Sequence, residues 1–449
     1  MKKHFMKDPW LISLSVLFLT LAGRFGATIV HAQQKSTRSL LQQIDRLARQ
    51  VEPKVIAWRR DLHQHPELSN REFRTAEVVA DHLRHLGLEV KTQIAHTGVV
   101  GVLSGRKKGP VVALRADMDA LPVTEATGLP FASTVKAIYN GAEVGVMHAC
   151  GHDAHTAMLM GVAEILTACR DRLPGTIKFI FQPAEEGAPE GETGGAELMI
   201  AEGVLENPAV DAILGLHVFP FTTGTITYRS GAAMAAVDAL RIIVHGQQTH
   251  GAMPWGGVDP IVVASQIVLG LQQIISRQVN ITDAPAIISI GSIHGGVRGN
   301  IIPEQVELVG TIRTLDAEMR KDIHERIRRT AALIAQSSGA TAEVEIQEGY
   351  PVMVNDPELT QRMIPVLQQV VGENHVTVVP PKGTAEDFAY YQQRVPGLFF
   401  FLGVTPPGTD PSKVAMNHSP YFFVDESAMI IGMRCLAYLA VAYLYQPLK

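Results

Sequence analysis

The chain has 449 residues, more than one ordinary hydrophobic core accommodates, so two domains or one large domain with an insertion are expected. Its apolar fraction of 46% is ample for packed cores, and a net charge of −5 without a basic stripe argues against a nucleic-acid partner. Small-molecule chemistry is left as the default.

Lys2, Lys3 and Lys7 make a cationic start, residues 10–22 an apolar run of signal length, and Val30-His31-Ala32 a site acceptable to a signal peptidase. Residues 1–32 are therefore predicted to be a signal peptide, with the mature protein exported to the periplasm or secreted. Arg24 interrupts the pattern, and an uncleaved segment would instead serve as a membrane anchor. Only Cys150, Cys169 and Cys435 are present, an odd number without disulfide spacing. Cys169 and Cys435 fall in apolar helical patterns and read as small buried hydrophobes.

After a polar linker at 33–38, residues 40–62 have helical periodicity, stopped by Pro66. Strand-like runs at 99–103, 111–115, 177–182 and 212–217 alternate with helical ones at 154–168 and 195–202. That alternation predicts an α/β fold, a mostly parallel sheet with helices on both faces and its ligand site at the carboxyl ends of the strands. From 231 the units shorten: strand 239–245, helix 259–277, strands 286–293 and 305–311, helix 316–337. This β-α-β-β-α order predicts an inserted α+β, ferredoxin-like domain over 231–340, which divides the main domain into 33–230 and 341–449.

Chemistry concentrates in Met147-His148-Ala149-Cys150-Gly151-His152-Asp153-Ala154-His155. Cys150 and His152, two apart, can aim at one metal ion, and Gly151 permits a close approach. Asp153 reads as a helix cap and His155 as an inward-facing structural residue. The buried strand 177–182 runs into Pro183-Ala184-Glu185-Glu186-Gly187, which places two carboxylates at a strand end. One can ligate metal while the other handles the proton of an attacking water. His217 ends another apolar strand, and His418 precedes the last helix. Cys150, His152, Glu186, His217 and His418 make five donors, enough for two divalent cations per chain sharing the thiolate. Mn or Zn is expected, with Co or Ni as alternatives.

These motifs, in this order, resemble the hippurate hydrolase and auxin-conjugate amidohydrolase branch of the aminoacylase/carboxypeptidase metallopeptidases. The resemblance extends to Asp61-Leu62-His63-Gln64-His65-Pro66, residues 114–122, Asn300-Ile301-Ile302-Pro303, Gly310-Thr311-Ile312-Arg313-Thr314 and Glu386-Asp387-Phe388. It implies that Cys150, His152, Glu186, His217 and His418 bind metal, that Glu185 is the general base, and that His63 and His65 are not ligands. It further implies that Asp119 orients a ligating histidine and that the insert is a lid through which the protein forms a homodimer. Two departures stand out: residues 188–193 lengthen the loop after Glu186, and Trp255 replaces a second histidine, which suggests a pocket wall suited to an aromatic or extended acyl group.

The resulting expectation is metal-assisted hydrolysis of an N-acyl amino acid, with Glu185 moving the proton to the leaving nitrogen. His250, from the lid, is the candidate donor to the oxyanion, and Asn300 the candidate amide for the substrate's carboxylate or backbone. A dipeptidase or carboxypeptidase acting on short peptides is the alternative. A cysteine hydrolase would leave Glu185, Glu186, His217 and His418 without a task.

Overall fold

The computed structural model describes residues 10–448, with side chains described from Thr37 onward, residue 411 excepted. The cationic start of the predicted signal peptide lies outside the described residues. Residues 10–36 are described only as backbone of the helix Trp10–Gln64.

Eight strands form the central sheet, in the order Glu89–Ile94, Gly98–Ser104, Pro174–Gln182, Lys107–Asp117, Ala212–Thr222, Gly397–Thr405, Ile226–Tyr228 and Val376–Val378. Four of its seven pairings are parallel. The four adjacent strands from Pro174–Gln182 to Gly397–Thr405 are all parallel to one another, and antiparallel pairings begin at their flanks. These middle strands are apolar over nearly their whole length because helices cover both faces. One face carries Trp10–Gln64, His152–Thr167 and Met429–Tyr445, whose apolar residues join a single large core. The other carries Gly195–Ala201 and Phe388–Gln392 over a smaller core that includes Ile180, Ile213 and Phe399.

A second sheet, in the order Ala286–Gly295, Gln305–Thr314, Ala236–His245 and Thr341–Glu348, is antiparallel throughout. Two helices pack on it. Asp259 caps Pro260–Gln273 by accepting from the amides of Ile261 and Val262. Asp316 caps Ala317–Ser337, whose Ile323, Ile327, Ala331 and Ala335 recur every fourth residue on its buried face. The order β-α-β-β-α-β is that of a ferredoxin-like unit. Its fourth strand, Thr341–Glu348, was expected to open the returning half of the main domain; instead it pairs with Ala236–His245 inside the insert. The chain enters and leaves this lid through Gly231–Met234 and Met353–Asn355, which pair with each other.

Candidate metal centre

The middle strands deliver the expected site residues to one end of the sheet. Asp117 closes Lys107–Asp117, with Asp119 two residues on; Glu185 and Glu186 follow Pro174–Gln182; His217 lies in Ala212–Thr222; His418 lies between Gly397–Thr405 and the last helix. Cys150 and His152 come from the start of His152–Thr167. Gly151 is left-handed, with φ 91°, and a Cβ on it would lie 2.3 Å from Val218 Cγ2, so the cysteine and histidine reach this end only because a glycine separates them. Asp153 is not the expected cap. Gly151 occupies that position, and Asp153 accepts from Arg59 Nε and His63 Nδ1, both at 2.8 Å.

The five expected donors converge as two groups that share the thiol: Cys150 with His152 and His217, and Cys150 with Glu186 and His418. Within each group the candidate atoms lie no more than 4.8 Å apart. Cys150 Sγ is 3.3 Å from His217 Nε2, and His418 Nε2 is 3.2 Å from Glu186 Oε1. His217 donates Nδ1–H to the Val218 carbonyl at 2.6 Å, which turns the lone pair of Nε2 toward Cys150. Asp119 accepts from His152 Nδ1 at 3.2 Å and from the Glu186 amide at 3.0 Å. His152 Nε2 and Glu186 Oε1 are buried and have no hydrogen-bond partner. Orphaned acceptors facing one another are what a cation would satisfy.

Charge points the same way. Asp117, Asp119, Glu185, Glu386 and Asp387 are buried together. Arg115 is spent on Asp117, Glu386 and Asp387 at 2.7, 3.0 and 2.8 Å. Burial, then the neighbouring Glu386 and Glu186, drives the Glu185 carboxyl well above the usual range. Burial and the adjacent Glu186 and Glu185 push the Cys150 thiol up likewise. A thiol, imidazoles and carboxylates gathered at one point, with a single guanidinium among five buried acids, fit divalent cations.

Of the remaining histidines near the site, His148 is buried with no hydrogen-bond partner at either ring nitrogen, whereas His155, His63 and His65 are occupied. His155 lies between Asp117 Oδ1, at 2.6 Å, and the amide of Val218, at 2.8 Å. His63 meets Asp153 and Glu125, and the exposed His65 meets the Asp61 carbonyl. His418 itself adopts φ 71°, uncommon for a residue with a side chain, and its amide donates to the Ala149 carbonyl at 2.8 Å.

A cavity of about 350 Å³ opens over four of the five donors and Glu185, while His152 lies beneath them, outside its lining. Cys150, Glu185, Glu186, His217 and His418 form its floor, Phe219, Met234 and Phe401 an apolar wall, and Arg313 and Tyr350 the lid side. Arg313 and Tyr350 had no role in the sequence reading, although Arg313 alternates with the buried Ile312 and Thr314 on its strand. His250 and Asn300 are not part of this wall. Both are exposed on the lid, where the Gly251 amide donates to the Asn300 carbonyl at 2.9 Å and His250 pairs with Ile301. Trp255, expected to shape the pocket, is 82% exposed and also outside the cavity.

The profile of Peptidase family M20/M25/M40 matches residues 113–442. Thermostable carboxypeptidase 1 of Saccharolobus solfataricus is 42% identical over 407 residues, covering 90% of this chain and 99% of the relative. N-acetyl-L-cysteine deacetylase of Bacillus subtilis is 39% identical, covering 85% of this chain and 86% of the relative. Among solved structures, a dinuclear metal binding peptidase of the M20 family from Bacillus subtilis superposes with a TM-score of 0.74 at 36% identity, covering 89% of this chain and 99% of that one.

Proposed function

The chain belongs to peptidase family M20/M25/M40, and we propose that within it the protein hydrolyses N-acyl amino acids to a carboxylic acid and a free amino acid. It is a metal-dependent hydrolase of amide bonds; the substrate class and the residue roles that follow are our reading. The observation that carries it is the cavity itself, with acid and imidazole donors on its floor, the Arg313 guanidinium on the lid side and an aromatic wall between them. A substrate with one amide, one carboxylate and an apolar acyl group matches those three features.

Cys150, His152, Glu186, His217 and His418 would hold two divalent ions, which supply polarisation of the amide carbonyl and acidification of water. Glu185, buried beside them, accepts the proton of the attacking water and returns it to the departing nitrogen. Asp119 orients His152, and Arg313 holds the substrate carboxylate. His250 and Asn300 serve the oxyanion and the substrate backbone only after lid closure or from a second subunit, since neither reaches the cavity within this chain. A homodimer is supported by apolar side chains exposed on the lid, Ile261, Val262 and Leu269 on its helix and Ile287 and Ile293 on its free edge strand. Export by the amino-terminal segment remains part of the proposal.

The 42% identical carboxypeptidase favours a second reading, cleavage of short peptides, which Arg313 would serve equally. Elemental analysis of the purified protein, joined to a panel of N-acetyl, N-benzoyl and indole-acyl amino acids and unblocked dipeptides, decides between them. Transition metal with acyl-amino acid turnover is expected. Turnover of the dipeptides alone would replace the first reading by the second.

A further inference from the structure

The turn that carries Glu185 is held from outside at three successive residues. The Ala184 amide donates to Glu72 Oε1 at 2.9 Å, the Tyr350 hydroxyl to the Glu185 carbonyl at 2.6 Å, and the Glu186 amide to Asp119 Oδ2 at 3.0 Å. The turn needs these holds, because Ala184 adopts φ 53° and so sits where residues with side chains are rarely stable unaided. Glu72 and Asp119 belong to the main domain. Tyr350 lies on the return from the lid, between Thr341–Glu348 and Met353–Asn355.

That return is stitched to the lid's outgoing strand. The Val237 amide donates to the Tyr350 carbonyl and the Gly349 amide to the Val237 carbonyl, each at 3.0 Å. A Cβ on Gly349 would lie 2.7 Å from the Val237 oxygen, so the contact requires glycine. Arg320 Nη2 donates to the Gly349 carbonyl at 3.1 Å while its guanidinium and His324 clamp the buried Asp238 next to Val237. Val237 is also the cross-strand partner of Arg313. The lid cation of the cavity and the main chain of Glu185 are thus joined through two residues only, Val237 and Tyr350.

We propose that Tyr350 is a positioning residue that ties the orientation of the lid to the backbone of Glu185, so that the base is aligned when Arg313 stands over the cavity. The proposal rests on Glu185 being the base. A lid rotation that displaces Arg313 should also displace Tyr350, since Val237 lies directly opposite Arg313 in the sheet and its amide donates to the Tyr350 carbonyl, and the Glu185 turn then loses one of its three holds.

Tyr350→Phe in the full, metal-loaded chain removes that hydroxyl and little else. The expected result is a fall in kcat of about 10-fold with KM and metal content changed by less than about twofold, and faster hydrogen exchange in the peptide covering 183–187. Gly349→Ala, which forces Val237 away, should lower kcat on its own yet cost less than about twofold more in the Tyr350→Phe background. If Gly349→Ala does not fold, Arg320→Lys takes its place. Unchanged kcat and exchange in Tyr350→Phe, or losses that multiply in the double variant, overturn the proposal. Glu185→Gln is assayed alongside: full activity there defeats the base assignment, whereas its loss together with a silent Tyr350→Phe defeats this coupling alone.

Discussion

Nδ1 of His152 lies 3.2 Å from Oδ1 of Asp119, and this contact leaves Nε2 buried, without a hydrogen bond, 3.8 Å from a carboxylate oxygen of Asp117 and 3.9 Å from those of Glu185 and Glu186. The second oxygen of Asp119 takes the Glu186 amide and the Ser69 hydroxyl, so one side chain orients two expected ligands. Asp119→Ala is therefore expected to weaken metal binding by ~10–100-fold, the usual cost of losing a partner that orients a ligand. Competition against a chromophoric chelator measures it. Unaltered affinity would mean that His152 is not held for a metal.

Glu185→Gln keeps the side chain's size and hydrogen-bonding reach but cannot carry the proton. Fold and metal content should survive while kcat falls by ~100-fold or more. Circular dichroism and elemental analysis establish the first two, steady-state kinetics the third. A variant that retains near-normal kcat would move the base elsewhere, and Glu386, in the same buried cluster, would be the next residue to test.

Part of this centre was legible in the sequence because Glu185, Glu186 and His217 lie where an apolar run ends in polar residues, and Cys150 and His152 in a stretch crowded with imidazoles. Phe181-Gln182 before Glu185 and Leu216 before His217 are such edges, and in a parallel sheet all of them open at one end. Arg313 was not legible, since an arginine on an alternating strand reads as a solvated face until the lid is folded over the cavity. Tyr350 belongs to a connection without periodicity, and its partner is a main-chain carbonyl, which no sequence pattern marks. Thr341–Glu348 was misplaced because it is an edge strand whose Glu343 and Glu345 alternate with apolar residues. Charges of that kind protect an edge from unwanted pairing and mark a half-exposed strand, but they do not say which sheet it joins. Asp153 failed as a cap because Arg59 and His63, about ninety residues away in sequence, claim it.

The lid carries its own acid-sensitive lock. Burial works against ionisation of Asp238, yet hydrogen bonds from His324, at 2.7 Å, and from Arg320 hold its carboxyl below the usual range. A carboxyl depressed in the folded state stabilises in full above its unfolded value, near pH ~4, and that contribution is lost as pH falls through the folded value. The natural protein should therefore show a denaturant midpoint that drops below pH ~4, and Asp238→Asn a flatter profile there. At neutral pH the same variant should also be less stable, because Arg320 and His324 lose the carboxylate they share, although Arg320 keeps the Gly349 carbonyl. Equal slopes in acid for the two proteins would show that this contact does not set the lid's pH response.

The final prediction concerns where His250 acts. Its strand pairs with Ile301–Ile302, its Nδ1 accepts from the Ala252 amide at 3.0 Å, and the cavity over Cys150 and Glu185 is walled without it. Two routes can bring it to the reacting carbonyl: closure of its own lid, or approach of a partner's lid across a dimer built on the exposed Leu269 and Ile287 faces. Either way an oxyanion donor acts on the transition state, so His250→Ala should lower kcat by ~100-fold or more and leave metal content intact. Asn300, beside it on the lid, should on replacement by alanine chiefly raise KM, as expected of a substrate-holding amide. Mixing inactive His250→Ala chains with inactive Glu185→Gln chains separates the two routes. If the lid serves the partner's site, a mixed dimer pairs one intact Glu185 with an intact His250 from the other chain, and activity returns to about one normal site, half that of a normal dimer, per exchanged dimer. If each lid serves its own site, every site in the mixture lacks one residue and no activity returns, provided that mass spectrometry shows the subunits have exchanged. Full activity of His250→Ala alone would remove the residue from the chemistry altogether.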